Sequence, residues 1–235
     1  MIMRYAIYFT PPAEHPLVLR AEEWLGRSAF GRNVLPTEIG GLTPAARAER
    51  VTDPARYGFH GTLKAPFRLA EGSSEADLIA ALDDFAAKTP RLPLPLRLSA
   101  LDGFLALTPA GDAAALNGLA GAVVRGFDRF RAAMTPAERA RRRPERLDAV
   151  QLRHLDDWGY PYVFDAFRFH MTLTGRLDAP ATEETLAALA PHFAEALTAD
   201  LVIDHLALFR EPQPGAPFSC LHLAPLTGAV RPIPA

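Results

Sequence analysis

The 235-residue chain has one cysteine, Cys220. That excludes an intrachain disulfide framework and a cysteine-rich zinc site. Cys220 sits in the last apolar stretch and reads as a core residue, and the composition is that expected in the reducing cytoplasm. No apolar run approaches the ~18–20 residues of a membrane span. Met1 to Thr10 goes straight into strand-like sequence without a signal-peptide pattern. Charge of neither sign is in excess: the net charge is −2, so no global field draws the chain to nucleic acid. The Gly-rich loop of the Walker type is missing, which argues against a kinase or an NTP-driven ligase. His154 with Asp156 and Asp157, and Asp204 with His205, lack the helical spacing and third ligand of a zinc site. No metal and no cofactor is therefore expected. The rest is the composition of an ordinary globular protein, 49% apolar and 22% charged.

What the chain does have is one pattern twice. Phe59-His60-Gly61-Thr62-Leu63 returns 110 residues later as Phe169-His170-Met171-Thr172-Leu173. The alternation reads as a strand in which His and Thr share one face and the apolar residues the other. Extended outward, the first polar face adds Arg56, Gly58 and Lys64, and the second adds Arg168 and Thr174. A polar row between two lobes has to be wet or hold a polar ligand, because unpaired buried polar groups are costly.

The surrounding pattern places these strands in a repeat. Strand-like Arg4–Phe9 and helical Leu17–Phe30 lead into a Gly/Pro/Thr-rich stretch, 31–55, with a short helix near Ala45–Arg50. The first motif strand is expected over Tyr57–Leu69. A helix capped by Ser74 follows, then strands Leu94–Leu101 and Phe104–Leu107 around the Asp102-Gly103 turn. Helices over Asp112–Arg131 and from Thr135-Pro136 precede the second motif strand, Arg168–Leu177. A helix capped by Thr182 and strands Leu201–Arg210 and Phe218–Leu223 close the chain. The predicted fold class is α+β. It is one bilobal domain over 1–235 made by internal duplication (repeats about 56–108 and 166–225), with two antiparallel sheets flanking a groove and helices on the outer faces.

The paired strands carry the equipment for acid–base chemistry at phosphorus. In-line displacement puts attacking and leaving oxygens on opposite sides of the phosphorus. Two imidazoles can serve one each, being near neutral pKa. His60 and His170 are the catalytic candidates. Thr62 and Thr172 can donate to non-bridging oxygens, and Thr174, Lys64 and Arg168 are further phosphate-binding candidates. A lone His-x-Thr in a strand is usually structural; two copies at matching places in a repeat are not readily accidental.

The motifs, read in their longer context, resemble the two-histidine phosphoesterase superfamily. Arg56-Tyr57-Gly58-Phe59-His60-Gly61-Thr62-Leu63-Lys64-Ala65-Pro66-Phe67, Trp158-Gly159-Tyr160-Pro161-Tyr162 and Phe167-Arg168-Phe169-His170-Met171-Thr172-Leu173-Thr174-Gly175 look more narrowly like the DUF1045 group, associated with bacterial phosphonate degradation. The resemblance implies a phosphoric diester hydrolase: a metal-independent phosphodiesterase opening a small cyclic phosphate, such as a ribose 1,2-cyclic phosphate. Two alternatives stand beside it, an RNA-end or nucleotide 2′,3′-cyclic phosphodiesterase and a non-catalytic binder of phosphorylated sugars or nucleotides. The expected partner is a small phosphorylated substrate, with no membrane and at most a short RNA end; the oligomeric state stays open.

Two further features stay ambiguous in the sequence. Arg139, Arg141, Arg142, Arg143 and Arg146 form a basic run that could grip an RNA backbone or a second phosphate; the favoured reading is a solvated helix face partly balanced by Glu138 and Glu145. Tyr5, Tyr8, Trp158, Tyr160 and Tyr162 could stack on a sugar or base, or simply support a loop.

Overall fold

The computed structural model describes residues 3–229, so the outermost positions of the expected 1–235 domain lie outside the described residues. Strands are β1 (Arg4–Phe9), β2 (Gly61–Phe67), β3 (Leu92–Pro93), β4 (Leu96–Leu101), β5 (Phe104–Pro109), β6 (Met171–Thr172), β7 (Val202–Ile203), β8 (His205–Glu211) and β9 (Ser219–Pro225). Helices are α1 (Pro16–Leu25), α2 (Pro44–Tyr57), α3 (Glu75–Ala87), α4 (Ala114–Gly126), α5 (Pro136–Arg141), α6 (Ala149–Trp158) and α7 (Ala179–Ala194). The class is α+β. Among the described residues no helix is long and apolar enough to cross a membrane.

The two expected sheets are one. Seven antiparallel strands run in the order β4-β5-β6-β2-β1-β8-β9, and β3 pairs with β7 as a small separate ribbon. The two motif strands are therefore neighbours on one ladder, Gly61 opposite Met171, rather than facing strands of two lobes. Each motif strand has its apolar row on the same side, so pairing them edge to edge buries both rows against one set of helices.

Alternation along the strands fixes the two faces. Tyr5, Ile7 and Phe9 of β1 point with Leu63, Leu107, Met171 and Leu208 into the main core, which α1, α3, α4 and α7 cover with Trp24, Leu82, Val123 and Phe193 among others. Ala6, Tyr8, Ala207 and Phe209 point to the other face, where Phe218 and Tyr57 join them. The helices thus cover one face of the sheet, and the other face is left for a groove. The Trp24 indole N–H donates to the Leu173 carbonyl at 2.8 Å, tying α1 to the end of β6.

Several element boundaries differ from the sequence pattern for identifiable reasons. Residues 44–57 form a full helix, capped by Thr43 with Pro44 in its first turn. The first motif strand therefore starts at Gly61, and Tyr57 ends a helix instead of opening a strand. The chain over 149–158 is also helical, capped by Asp148 with Gln151 in a capping box and closed by Gly159. α7 is capped by Asp178, whose carboxylate accepts from the Ala181 N–H, four residues before the expected Thr182.

Candidate active site

The geometry of the site follows from the β2–β6 register. With Gly61 opposite Met171, an antiparallel ladder sets His60 opposite Thr172 and Thr62 opposite His170. Gly61 and Met171 face the core, so all four polar residues project from the opposite face. Directly opposed residues have Cβ atoms about 5 Å apart, and the four make a compact square of two imidazoles and two hydroxyls. Gly61 is required at its centre: a Cβ there would run into the Phe169 ring.

Both imidazoles are held the same way. His60 Nδ1 lies 2.8 Å from the Gly58 carbonyl, and His170 Nδ1 lies 2.7 Å from the Arg168 carbonyl. A carbonyl only accepts, so each neutral ring carries its proton on Nδ1 and leaves Nε2 as an acceptor. Tyr8 stacks on His60 with ring centroids 3.8 Å apart and a 24° interplanar angle. Burial pushes the His60 pKa down to about 4, with the nearby His170 adding a smaller push the same way. Burial also lowers the His170 pKa, partly opposed by its bond to the Arg168 carbonyl. Both rings are held toward the neutral, proton-accepting form. Burial raises Tyr8 well above the usual phenol value and Tyr160 in the same direction, so both stay protonated donors.

A groove of about 360 Å³ opens over three of the four, His60, Thr62 and Thr172, and is also lined by Tyr8, Tyr57 and Tyr160, with Asp53 and Pro54 of α2 on one wall and Arg142 on another. His170 opens on a narrow adjoining cleft, which meets the groove at Thr62, Ala65 and Tyr160. The Thr62 and Thr172 side chains are half-buried.

The remaining candidates are placed differently from one another. Lys64 is turned away: the β1–β2 register slips between the pairs Tyr8/Thr62 and Ile7/Lys64, and the bulge sends Lys64 to the helix side. There its ammonium donates to the Val124 carbonyl and pairs with Asp128, both at 3.2 Å. Burial lowers its pKa against the opposing pull of Asp128. The Thr174 hydroxyl borders the groove but is engaged in the backbone, accepting from Leu105 N–H at 2.9 Å and donating to the Gly175 carbonyl at 2.8 Å. Arg168 is exposed and pairs with Asp102 beside the narrow cleft. Among the candidates weighed as metal ligands, His205 is held between Asp204 (2.5 Å) and the Thr10 carbonyl (2.6 Å). His154 lies 3.3 Å from Asp165.

The α2 wall was not among the expected site features, and Arg142 was expected on a solvated face, with a phosphate grip as the alternative. The signal for α2 was present, since Thr43-Pro44 repeats the cap pattern of Thr135-Pro136. Arg142 stands over the Tyr160 ring at 5.0 Å and faces the groove, whereas its neighbour in the run, Arg139, pairs on the surface with Asp156 at 2.8 Å.

Over residues 62–219 the chain matches the family described as "Protein of unknown function (DUF1045)". It is 41% identical over 231 residues to the "Ribose 1,5-bisphosphate phosphokinase PhnN" of Janthinobacterium sp. (strain Marseille), covering 96% of this chain and 51% of that protein. It is 39% identical over 221 residues to the protein of the same name from Laribacter hongkongensis (strain HLHK9), covering 94% and 51%. The chain spans about half the length of the curated relatives it matches. These names correct the expected activity. The hydrolase reading, with its RNA-end and non-catalytic alternatives, conflicts with relatives named as phosphokinases. Two imidazoles and two hydroxyls suited to a phosphoryl group do not by themselves distinguish water from another oxygen as its acceptor. The missing Walker-type loop excludes one way of holding a nucleotide and not phosphoryl transfer itself.

Proposed function

The chain belongs to the DUF1045 family, and on that premise we propose that it supplies the phosphorylated-ribose site of a phosphotransferase. The ligand is a ribose phosphate of the kind in its relatives' names, which accords with the phosphonate-degradation link implied by the resemblance. The observation that carries this reading is that β2–β6 pairing brings His60, Thr62 and Thr172 to a groove of sugar-phosphate size, with His170 on the cleft adjoining it. Thr62, Thr172 and the protonated Tyr8 donate to non-bridging phosphoryl oxygens. As a bond forms between phosphorus and the acceptor oxygen and the bond to the donor's leaving oxygen breaks, the acceptor's proton passes to Nε2 of His60. His170, at the opposite corner of the square, can give a proton to the leaving oxygen only after its own Nε2 has been protonated from solvent. The sequence has no Gly-rich phosphate loop, so in this reading the phosphoryl donor is not held by such a loop of this chain. We also read the order strand, helix, short strand, hairpin, which occurs as β2-α3-β3-β4-β5 and again as β6-α7-β7-β8-β9, as an internal duplication. Titration calorimetry with ribose 1,5-bisphosphate tests the site. Saturable binding that weakens in Thr62→Val with Thr172→Val is expected; no binding, or binding indifferent to both changes, overturns the reading.

A further inference from the structure

A second cavity, of about 470 Å³, adjoins the groove and shares Tyr57, Pro66 and Arg142 with it. Six arginines line it: Arg4, Arg56, Arg68, Arg131, Arg141 and Arg142. Three carboxylates answer them. Glu211 takes both Arg4 and Arg56. Glu138 takes Arg68 at 2.8 Å. Asp128 takes Arg131 at 2.7 Å and is shared with Lys64. Arg141 and Arg142 have no carboxylate partner among the described residues; Arg141 Nε reaches only the Ala137 carbonyl of its own helical turn, at 3.3 Å. The Nε of Arg56 is buried without a partner. Positive charge therefore exceeds negative in a concave site, and unused guanidinium donors remain there. Planar forks of this kind are matched to phosphate oxygens.

We infer that this arginine cavity is a second phosphate subsite, taking the far phosphate of a sugar bisphosphate whose near phosphate lies over His60 and Thr172. Tyr57 and Pro66, on the wall common to both cavities, give the sugar an apolar surface between the two anions. Arg142, common to both, bridges them. The inference rests on the phosphorylated-ribose reading of the groove and adds which end of the ligand lies where.

The test is calorimetry on the full chain with three probes: ribose 1,5-bisphosphate, ribose 5-phosphate and a nucleoside triphosphate. The bisphosphate should bind about tenfold or more tighter than the monophosphate, the increment of charge-assisted hydrogen bonds. Arg141→Gln and Arg142→Gln, both near the surface and compatible with folding, should each narrow that gap, and together close most of it. Monophosphate binding with no gain for the bisphosphate, or a gain untouched by both substitutions, overturns the arginine subsite and leaves the groove standing. Failure of both sugar phosphates to bind overturns the groove and the subsite together. Tighter binding of the triphosphate than of the bisphosphate, lost in the arginine variants, assigns the cavity to a phosphoryl donor and overturns its assignment to the sugar.

Discussion

Gly61 pairs with Met171 across β2 and β6, a register that, continued by one residue each way, sets His60 across from Thr172 and His170 across from Thr62. Each imidazole is thereby set across from the threonine of the other motif. The two copies are brought side by side by a strand pairing between Gly61 and Met171, 110 positions apart in sequence.

The hydroxyls are the simplest part to test. Valine replaces threonine at nearly the same volume. Thr62→Val and Thr172→Val should leave thermal stability nearly unchanged and weaken ribose-phosphate binding by about tenfold each, since a hydrogen bond to a charged group contributes ~1.5–3 kcal/mol. Calorimetry on the two single variants measures this.

The His60 ring gives a pH signature. Its pKa is lowered to about 4 by burial, below the ordinary value near 6.5. Between those values the unfolded chain holds a proton that the folded chain does not. Stability contributed by this group is then full above about pH 6.5 and declines as pH falls toward 4. His60→Gln removes this titration and should reduce the slope of the stability profile across that window, with His170 keeping a contribution of the same sign, read by urea midpoints at successive pH values. A phosphate anion in the groove should move the His60 midpoint upward, visible in imidazole Cε1–H resonances.

Lys64 should behave as a structural cation. It is buried, with Asp128 and the Val124 carbonyl as partners. Lys64→Met should cost about 1–3 kcal/mol in urea unfolding, the range for leaving buried polar groups unsatisfied. Ribose-phosphate affinity should be unchanged. A loss of affinity at full stability would place Lys64 in the groove instead.

Gly61→Ala probes the ladder itself. The added methyl runs into the Phe169 ring, and overpacking of this kind typically costs about 1–3 kcal/mol. Because the ring precedes His170, the variant should lose ligand affinity along with stability, while Gly72→Ala, at an open turn, should leave affinity intact.

The α+β class and the shared His/Thr faces were legible in the sequence because they depend on local periodicity. So were the Ser74–Asp77 capping box and the Asp102-Gly103 turn, which the structure reproduces. The position of Lys64 was not legible, because a bulge in the β1–β2 pairing breaks the alternation at Thr62 and nothing in the local pattern marks it. The joining of the two motif strands into one sheet depends on long-range register, which single-strand patterns do not carry. Arg142 looked like one member of a solvated basic run. What distinguishes it is Tyr160, brought beneath it by the turn after α6. The chemistry at phosphorus was read from the paired motifs, but the hydrolytic outcome was not contained in them.

Both histidines can be followed in one experiment. Imidazole-labelled protein is titrated with ribose 1,5-bisphosphate and the His60 and His170 resonances are recorded together. Both should shift in parallel with one saturation curve, while His222, on edge strand β9 and paired with Asp83 at 2.7 Å, stays still. Saturable binding that moves neither His60 nor His170 would contradict the proposed site.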